Sequence, residues 1–298
     1  MHKFKKVYIV GHELHSHTHS YIHECFYRTF KHMGYDAVWI KTHEKFILED
    51  NSLVLTEGQV DKNVPINKTC KYVLHNCQYD KYRPIAENCL LLQVFTNDVV
   101  ERYKNSNNVQ KINDYTYVEG GSSKCLDQPW ATDLLPHEIN FDWAYIPRQM
   151  EVNWIGTVGG GIFGNVDKLQ PFIKRCTDHN IKFTQYMKKS KEESIKLIQS
   201  SILAPAIVGT WQEEKNYIPC RFWKNISYGQ MPISNCMILQ KEFGHLGIIS
   251  LDMTEMFNAG MSWVTGNTGQ IDKTKEAMKL VRDNHTYVNR INQILELL

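Results

Sequence analysis

Nowhere in this chain of 298 residues does an apolar run approach the roughly 18 residues of a membrane span, so no integral membrane segment is expected. Its eight cysteines form no C-x-x-C pair, which argues against a cysteine-based zinc site and against a disulfide framework. Charge of one sign is not in excess. Lys and Arg number 34 against 32 Asp and Glu, a formal net charge of +2, and no nucleic-acid partner is expected from so even a balance. Low-complexity tracts are missing too: a 42% hydrophobic and 11% aromatic content describes an ordinary globular protein. The start, Met1-His-Lys-Phe-Lys-Lys6, has neither an apolar h-region nor a cleavage site. Of three N-x-S/T triplets, those at Asn225 and Asn284 fall inside motifs described below, where a glycan would disrupt. A reducing, cytoplasmic location is therefore expected.

What is present is a regular alternation of short apolar runs and helical periodicities. The length suits two α/β domains better than one core. In the first half, Lys6–Val10, Ala37–Ile40, Ser52–Leu55, Tyr72–Leu74, Leu90–Phe95 and Tyr115–Val118 read as strands, with helices at Tyr21–Met33 and Asn97–Tyr103. After Pro147 a second series begins: strand Val152–Val158, helix Val166–His179, strand Ile181–Gln185, helix Lys191–Ser201 and strand Ile202–Ile207. Short strands at Met231–Ser234 and Leu246–Ile249 follow, and Lys273–Leu298 forms one or two terminal helices. The fold class is α/β, two Rossmann-like domains of parallel, doubly wound sheet, with residues 1–147 in the first and 148–298 in the second. Ligands of such sheets sit beyond the carboxyl ends of the strands, and three loops plus one helix there carry chemistry.

The helix beginning at Cys220 holds Arg221 and Lys224 at i,i+3 spacing, on one face of its first turn. Free backbone N–H groups and the dipole favour anions at a helix start, so two added cations suit a diphosphate; a solvated basic helix end is the competing reading. Gly229 stops the helix. After the first strand of the second half, Gly159-Gly160-Gly161-Ile-Phe-Gly164 spells G-x-G-x-x-G, the dinucleotide fingerprint. That fingerprint needs an acid about 20 residues on, where this chain has Tyr186, Met187 and Lys188. A glycine loop that brings backbone N–H groups close to a diphosphate is the better reading.

At the end of the first strand, Gly11-His-Glu-Leu-His-Ser-His-Thr-His19 gathers four histidines and a glutamate. No further acidic or cysteine ligand lies nearby in sequence, so no metal is assigned. A polar loop capping a helix is one alternative. The other is an acceptor-side loop in which Glu13, His15 or His17 acts as general base, with His12 among the acceptor contacts. Glu57, His75 and Asn76 end the third and fourth strands and line the same edge. In Gln128-Pro-Trp-Ala-Thr-Asp133, Trp130 suits a sugar ring and Asp133 its hydroxyls or a proton. Core packing and turn capping are the alternatives there.

Residues 220–235 resemble the donor-site helix of GT-B glycosyltransferases, specifically the glycosyltransferase group 1 type of C-terminal domain, with its pattern R-x-F-E-A-x-x-x-G-x-x-x-x-x-N. Arg221, Trp223, Gly229 and Asn235 fall at its Arg, aromatic, Gly and polar positions, while Lys224 replaces its Glu. His285-Thr-Tyr-Val-Asn-Arg290 is similar to the H-T-Y-x-x-R helix that closes such domains. The resemblance implies a GT-B architecture of two domains facing across a cleft, with the C-terminal helix crossing the junction.

It also implies a glycosyltransferase, hexosyl- or deoxyhexosyl-, moving a sugar from a UDP- or GDP-linked donor to a hydroxyl acceptor such as a glycan. The donor-side candidates are Gly159, Gly160, Gly161, Arg221, Lys224, Asn225, Tyr228 and Asn235. The acceptor side has His12, His75 and Trp130; the catalytic candidates are Glu13, His15, His17 and Asp133. No cofactor is expected, and no metal, because no D-x-D motif appears and the cations supply the positive charge. A sugar-nucleotide epimerase on the same fold and a non-catalytic carbohydrate- or nucleotide-binding protein are the alternatives.

Overall fold

The computed structural model describes residues 3–77, 79–95, 97, 109–112, 115–120, 123–266 and 269–298. Contacts divide the chain into two compact units, residues 1–133 with Tyr287–Leu298, and Leu134–Thr286. The expected boundary at 147/148 lies further along the chain. Phe141, Trp143 and Ala144 account for the difference, since they pack against the apolar cluster of the second unit. The last helix, expected with the second domain, belongs to the first unit.

The first unit is built on eight strands, β1 (Val7–Gly11), β2 (Ala37–Lys41), β3 (Leu53–Glu57), β4 (Lys71–His75), β5 (Cys89–Gln93), β6 (Val109–Ile112), β7 (Tyr115–Gly120) and β8 (Ser123–Asp127). They run in the order β2-β1-β3-β4-β5-β8-β7-β6. The first six are parallel, and β7 and β6 add an antiparallel edge. Every residue of β1 and β3 is buried, as expected of central parallel strands covered on both faces. The helix Ser20–His32 buries Ile22, Phe26, Thr29 and Phe30 along one stripe and stops before Gly34, whose φ is +85°. Beside it lies the helix Tyr287–Leu297, with the Phe26 and Tyr287 rings 4.8 Å apart. The expected strands lie within one or two residues of those observed. β6 and β8 were not anticipated, and the expected helix at Asn97–Tyr103 lies, apart from Asn97, outside the described residues.

The second unit has β9 (Glu151–Ile155) parallel to β10 (Lys182–Tyr186), and β11 (Ile233–Ser234) parallel to β12 (Ile248–Ile249). The apolar segment expected as a strand at Ile202–Ile207 is extended but bridges only locally. Ile202 N–H donates to Glu151 O at 2.8 Å and Ala206 N–H to Ile233 O at 2.8 Å, so it links the two strand pairs. Helices Val166–Asp178 and Met253–Thr265 cover one face through Leu169, Phe172, Met256 and Phe257, together with Trp154 of β9. Phe222, Trp223 and Phe243 lie in a second cluster with Ile155 against it, the alternation of a strand buried on both faces. Among the described residues, no helix is long and apolar enough to cross a membrane.

Candidate active site

In the first unit, parallel register brings three strand ends side by side. Val10 pairs with Thr56, and Glu57 with His75, so His12, Glu57 and His75 emerge at one carboxyl edge. Glu57 is the centre of the arrangement. Its Oε1 lies 2.7 Å from His12 Nε2 and its Oε2 2.7 Å from His19 Nδ1, and its side chain is 4% exposed. Burial alone would raise this carboxyl. The hydrogen bond and charge of His19, with the hydrogen bond of His12, outweigh burial and hold it at about 2.

Around that carboxylate the imidazoles are ordered. The His17 ring stacks on His12 with centroids 4.2 Å apart, and its Nδ1 accepts from His19 N–H. Burial, then the neighbouring His12 and His19, lower the His17 pKa. His23 is buried, and its Nδ1 accepts from His12 N–H at 3.1 Å; burial pushes it down to about 3. His75 is likewise buried and lowered to about 4, with Nδ1 3.1 Å from Leu92 O. Gly11 is small because a Cβ there would come within 2.3 Å of the His23 ring.

Of the sequence candidates, His12, His17, His75 and Trp130 belong to this cluster. Trp130 is buried, its ring 4.9 Å from His75 and 6.2 Å from His19. It is a wall of the cluster rather than an open stacking platform. Glu13 and His15 point elsewhere. Glu13 is exposed and pairs with Lys41 at 3.2 Å, whereas His15, at φ +68°, puts Nδ1 2.9 Å from Tyr21 Oη. The Asp133 carbonyl accepts from Arg28. Two residues carry more of the site than the sequence suggested: Glu57 and His19. Their signal was available, since Glu57 ends the strand next to β1 in any parallel order that pairs β1 with β3.

The second unit presents its own carboxyl edge. Arg221 leaves the helix Cys220–Ser227 and runs to the end of β9, where Nη2 donates to Ile155 O at 2.8 Å and the guanidinium lies 3.7 Å from the Trp154 ring centre. Burial lowers its pKa to about 10. Nε is buried with no hydrogen-bond partner, and the guanidinium's contacts among the described residues are a carbonyl and an aromatic ring, with no carboxylate. Gly156, at φ +118°, passes directly over it. The glycine loop follows: Gly160 and Gly161 are exposed, while the Gly159 amide is already used by Asn165 Oδ1 at 3.1 Å.

Three donor-side candidates are corrected by their surroundings. Asn225 is buried and spends its amide on Ala204 O. Tyr228 is buried in the apolar cluster. Asn235, wholly buried, accepts from Val208 N–H and donates to Val208 O and Glu213 Oε2, each at 2.9 Å; it shapes the turn before the helix Thr210–Glu214 rather than facing a ligand. The two ends of the terminal motif, His285 and Arg290, are structural. The His285 ring stacks on Trp223 at 4.0 Å, and the buried Arg290 donates to Pro129 O and Trp130 O.

No protein-family model matches the chain, and no curated protein matches it in sequence. Solved structures do. An alpha-glucosyltransferase in complex with UDP-glucose and DNA containing an abasic site matches with a TM-score of 0.60 at 9% identity, over 100% of this chain and 99% of that one. The fold is GT-B. A second GT-B neighbour, trehalose-6-phosphate from E. coli bound with UDP-2-fluoro glucose, gives 0.57 at 8% identity over 98% of each chain. A third, the alpha,alpha-trehalose-phosphate synthase (UDP-forming) from Burkholderia xenovorans, gives 0.51 at 10%, covering 84% of this chain and 74% of that one. GT-B architecture thus agrees with the resemblance carried by residues 220–235 and 285–290.

Proposed function

We propose that the protein is a glycosyltransferase moving a sugar from a nucleotide diphosphate sugar to a hydroxyl acceptor. One observation carries the reading: a half-buried Arg221 guanidinium at a strand end beside Gly156, its Nε buried without a hydrogen-bond partner and with no carboxylate on it among the described residues. A cation partly withdrawn from water without a counter-ion is costly, and a diphosphate is the anion that would complete it. As the leaving group departs, negative charge grows on its phosphates, so Arg221, Lys224 and the Gly160 and Gly161 amides act in the transition state as well as in binding. With that charge met by cations, the donor needs no metal.

Two of these neighbours were solved with UDP-glucose or UDP-2-fluoro glucose, which makes a UDP-linked hexose the first donor to test and a deoxyhexose the next. In the first unit Glu57 holds His12 and His19, a pairing in which a carboxylate orients an imidazole to take a proton from an acceptor hydroxyl. A glycan is the proposed acceptor, and all eight cysteines are thiols outside any disulfide, as suits a cytoplasmic enzyme.

The experiment is a panel of UDP- and GDP-sugars with and without candidate glycans, read as nucleoside diphosphate released. Acceptor-stimulated release, lost in Arg221→Ala, is the expected result. Binding without turnover of any donor would favour the non-catalytic alternative, and interconversion of the free nucleotide sugar would favour the epimerase.

A further inference from the structure

We infer that the histidine cluster of the first unit is a binding site for a divalent transition-metal ion of the zinc class, held by His12, His17 and Glu57. One ring nitrogen of each histidine and one carboxylate oxygen lie within 4.8 Å of one another. Two imidazoles and a carboxylate are a zinc donor set that leaves a fourth position open. The sequence hides the set, because its carboxylate comes from β3, more than forty residues past His12.

The surroundings are those of a supported metal site. Glu57 presents Oε1 to the ligand group, while Oε2 is held by His19 Nδ1 at 2.7 Å; ligating carboxylates are usually fixed this way by a second hydrogen bond. His17 Nδ1 is occupied by the His19 amide, which leaves its Nε2 for a metal. The backbone of His12 is pinned from below by His23. The side chains of His12 and Glu57 are 14% and 4% exposed, so the carboxylate is the more deeply set of the two.

Proton and metal compete for one place. His12 Nε2 and Glu57 Oε1 now share a proton across 2.7 Å. Metal–ligand bonds of about 2.0–2.2 Å at tetrahedral angles separate two ligand atoms by roughly 3.3–3.5 Å, so binding must displace that proton and part the pair slightly. A neutral imidazole that ligates through Nε2 carries its proton on Nδ1, so the displaced proton moves within the His12 ring. This inference stands or falls on metal binding by the full chain, whatever the outcome for sugar transfer; an ion on His12 and Glu57 would leave His19 as the imidazole that Glu57 holds for a proton.

The test uses the whole protein, stripped with chelator and dialysed, titrated with Zn²⁺ by calorimetry and with Co²⁺ by visible absorption. Expected are one tight site and cobalt d–d bands. The bands should vanish in His17→Ala, whose ring is partly exposed and whose far-UV circular dichroism checks the fold. His19→Ala, which removes the hydrogen bond to Glu57 Oε2 and the ring packed beside His17 but no proposed ligand, should weaken Zn²⁺ binding about 10–100-fold. No binding by the intact chain, or binding unchanged in both His17→Ala and Glu57→Gln, overturns the inference and assigns any metal to surface histidines such as His245.

Discussion

Glu57 and the imidazoles around it make the first unit sensitive to acid. His75, facing His19 and Glu57, titrates at about 4 instead of its ordinary 6.5 because it is buried, and His23 at about 3 for the same reason. Below about pH 6.5 the unfolded chain takes up protons that these folded imidazoles refuse, so stability falls as pH drops from there toward 4. Glu57 adds to the fall between its ordinary 4.5 and about 2, because its folded carboxylate stays charged where the unfolded one is neutral. Urea midpoints should decline steadily from pH 7 to pH 4, and His75→Gln should flatten the upper part of that decline. An equal slope in the variant would disprove the assignment to His75. A second residue-scale prediction concerns Gly156. A Cβ at its φ of +118° would sit 2.7 Å from Arg221 Nη2, so Gly156→Ala should cost about 1–3 kcal/mol and displace the guanidinium, with a matching loss of nucleotide binding by calorimetry.

Among the elements, strands and helices with strong periodicity were legible in the sequence: β1, β3, β5 and the helices Ser20–His32, Val166–Asp178 and Lys191–Ser200 all lie within two residues of expectation. The last is started by a capping box, Ser190 Oγ accepting from Glu193 N–H and Glu193 Oε2 from Ser190 N–H, a local signal. What could not be read was whatever depends on distant partners. Asn235 matches a motif by position, and Asn225 and Tyr228 lie within it, but what Asn225 and Asn235 bond to is decided by Ala204, Val208 and Glu213. The histidine run was legible as a site, while its centre, Glu57, required the strand order. Arg290 is another such case. Its role, holding the Trp130 loop by two carbonyls, links residues 160 positions apart. Arg290→Met keeps the long stem but leaves those carbonyls unsatisfied, and should lower unfolding free energy by about 2–5 kcal/mol, measured in urea.

For the molecule as a whole, the assignment of Tyr287–Leu298 to the first unit has a consequence of its own. Tyr287, Ile291, Ile294 and Leu297 are buried, so a chain ending at Thr286 should lose the first unit's cooperative melting while Leu134–Thr286 keeps its own. Calorimetric scanning distinguishes this from an unchanged transition, which would count against the division. The central claim, that the second unit is built around a nucleotide diphosphate, is tested most directly by titrating UDP into the native protein and into Arg221→Ala. Saturable binding that weakens about 10–100-fold in the variant, the worth of hydrogen bonds to a charged group, is predicted, with circular dichroism unchanged. UDP and GDP that fail to bind the native protein, or that bind the variant equally well, would contradict it.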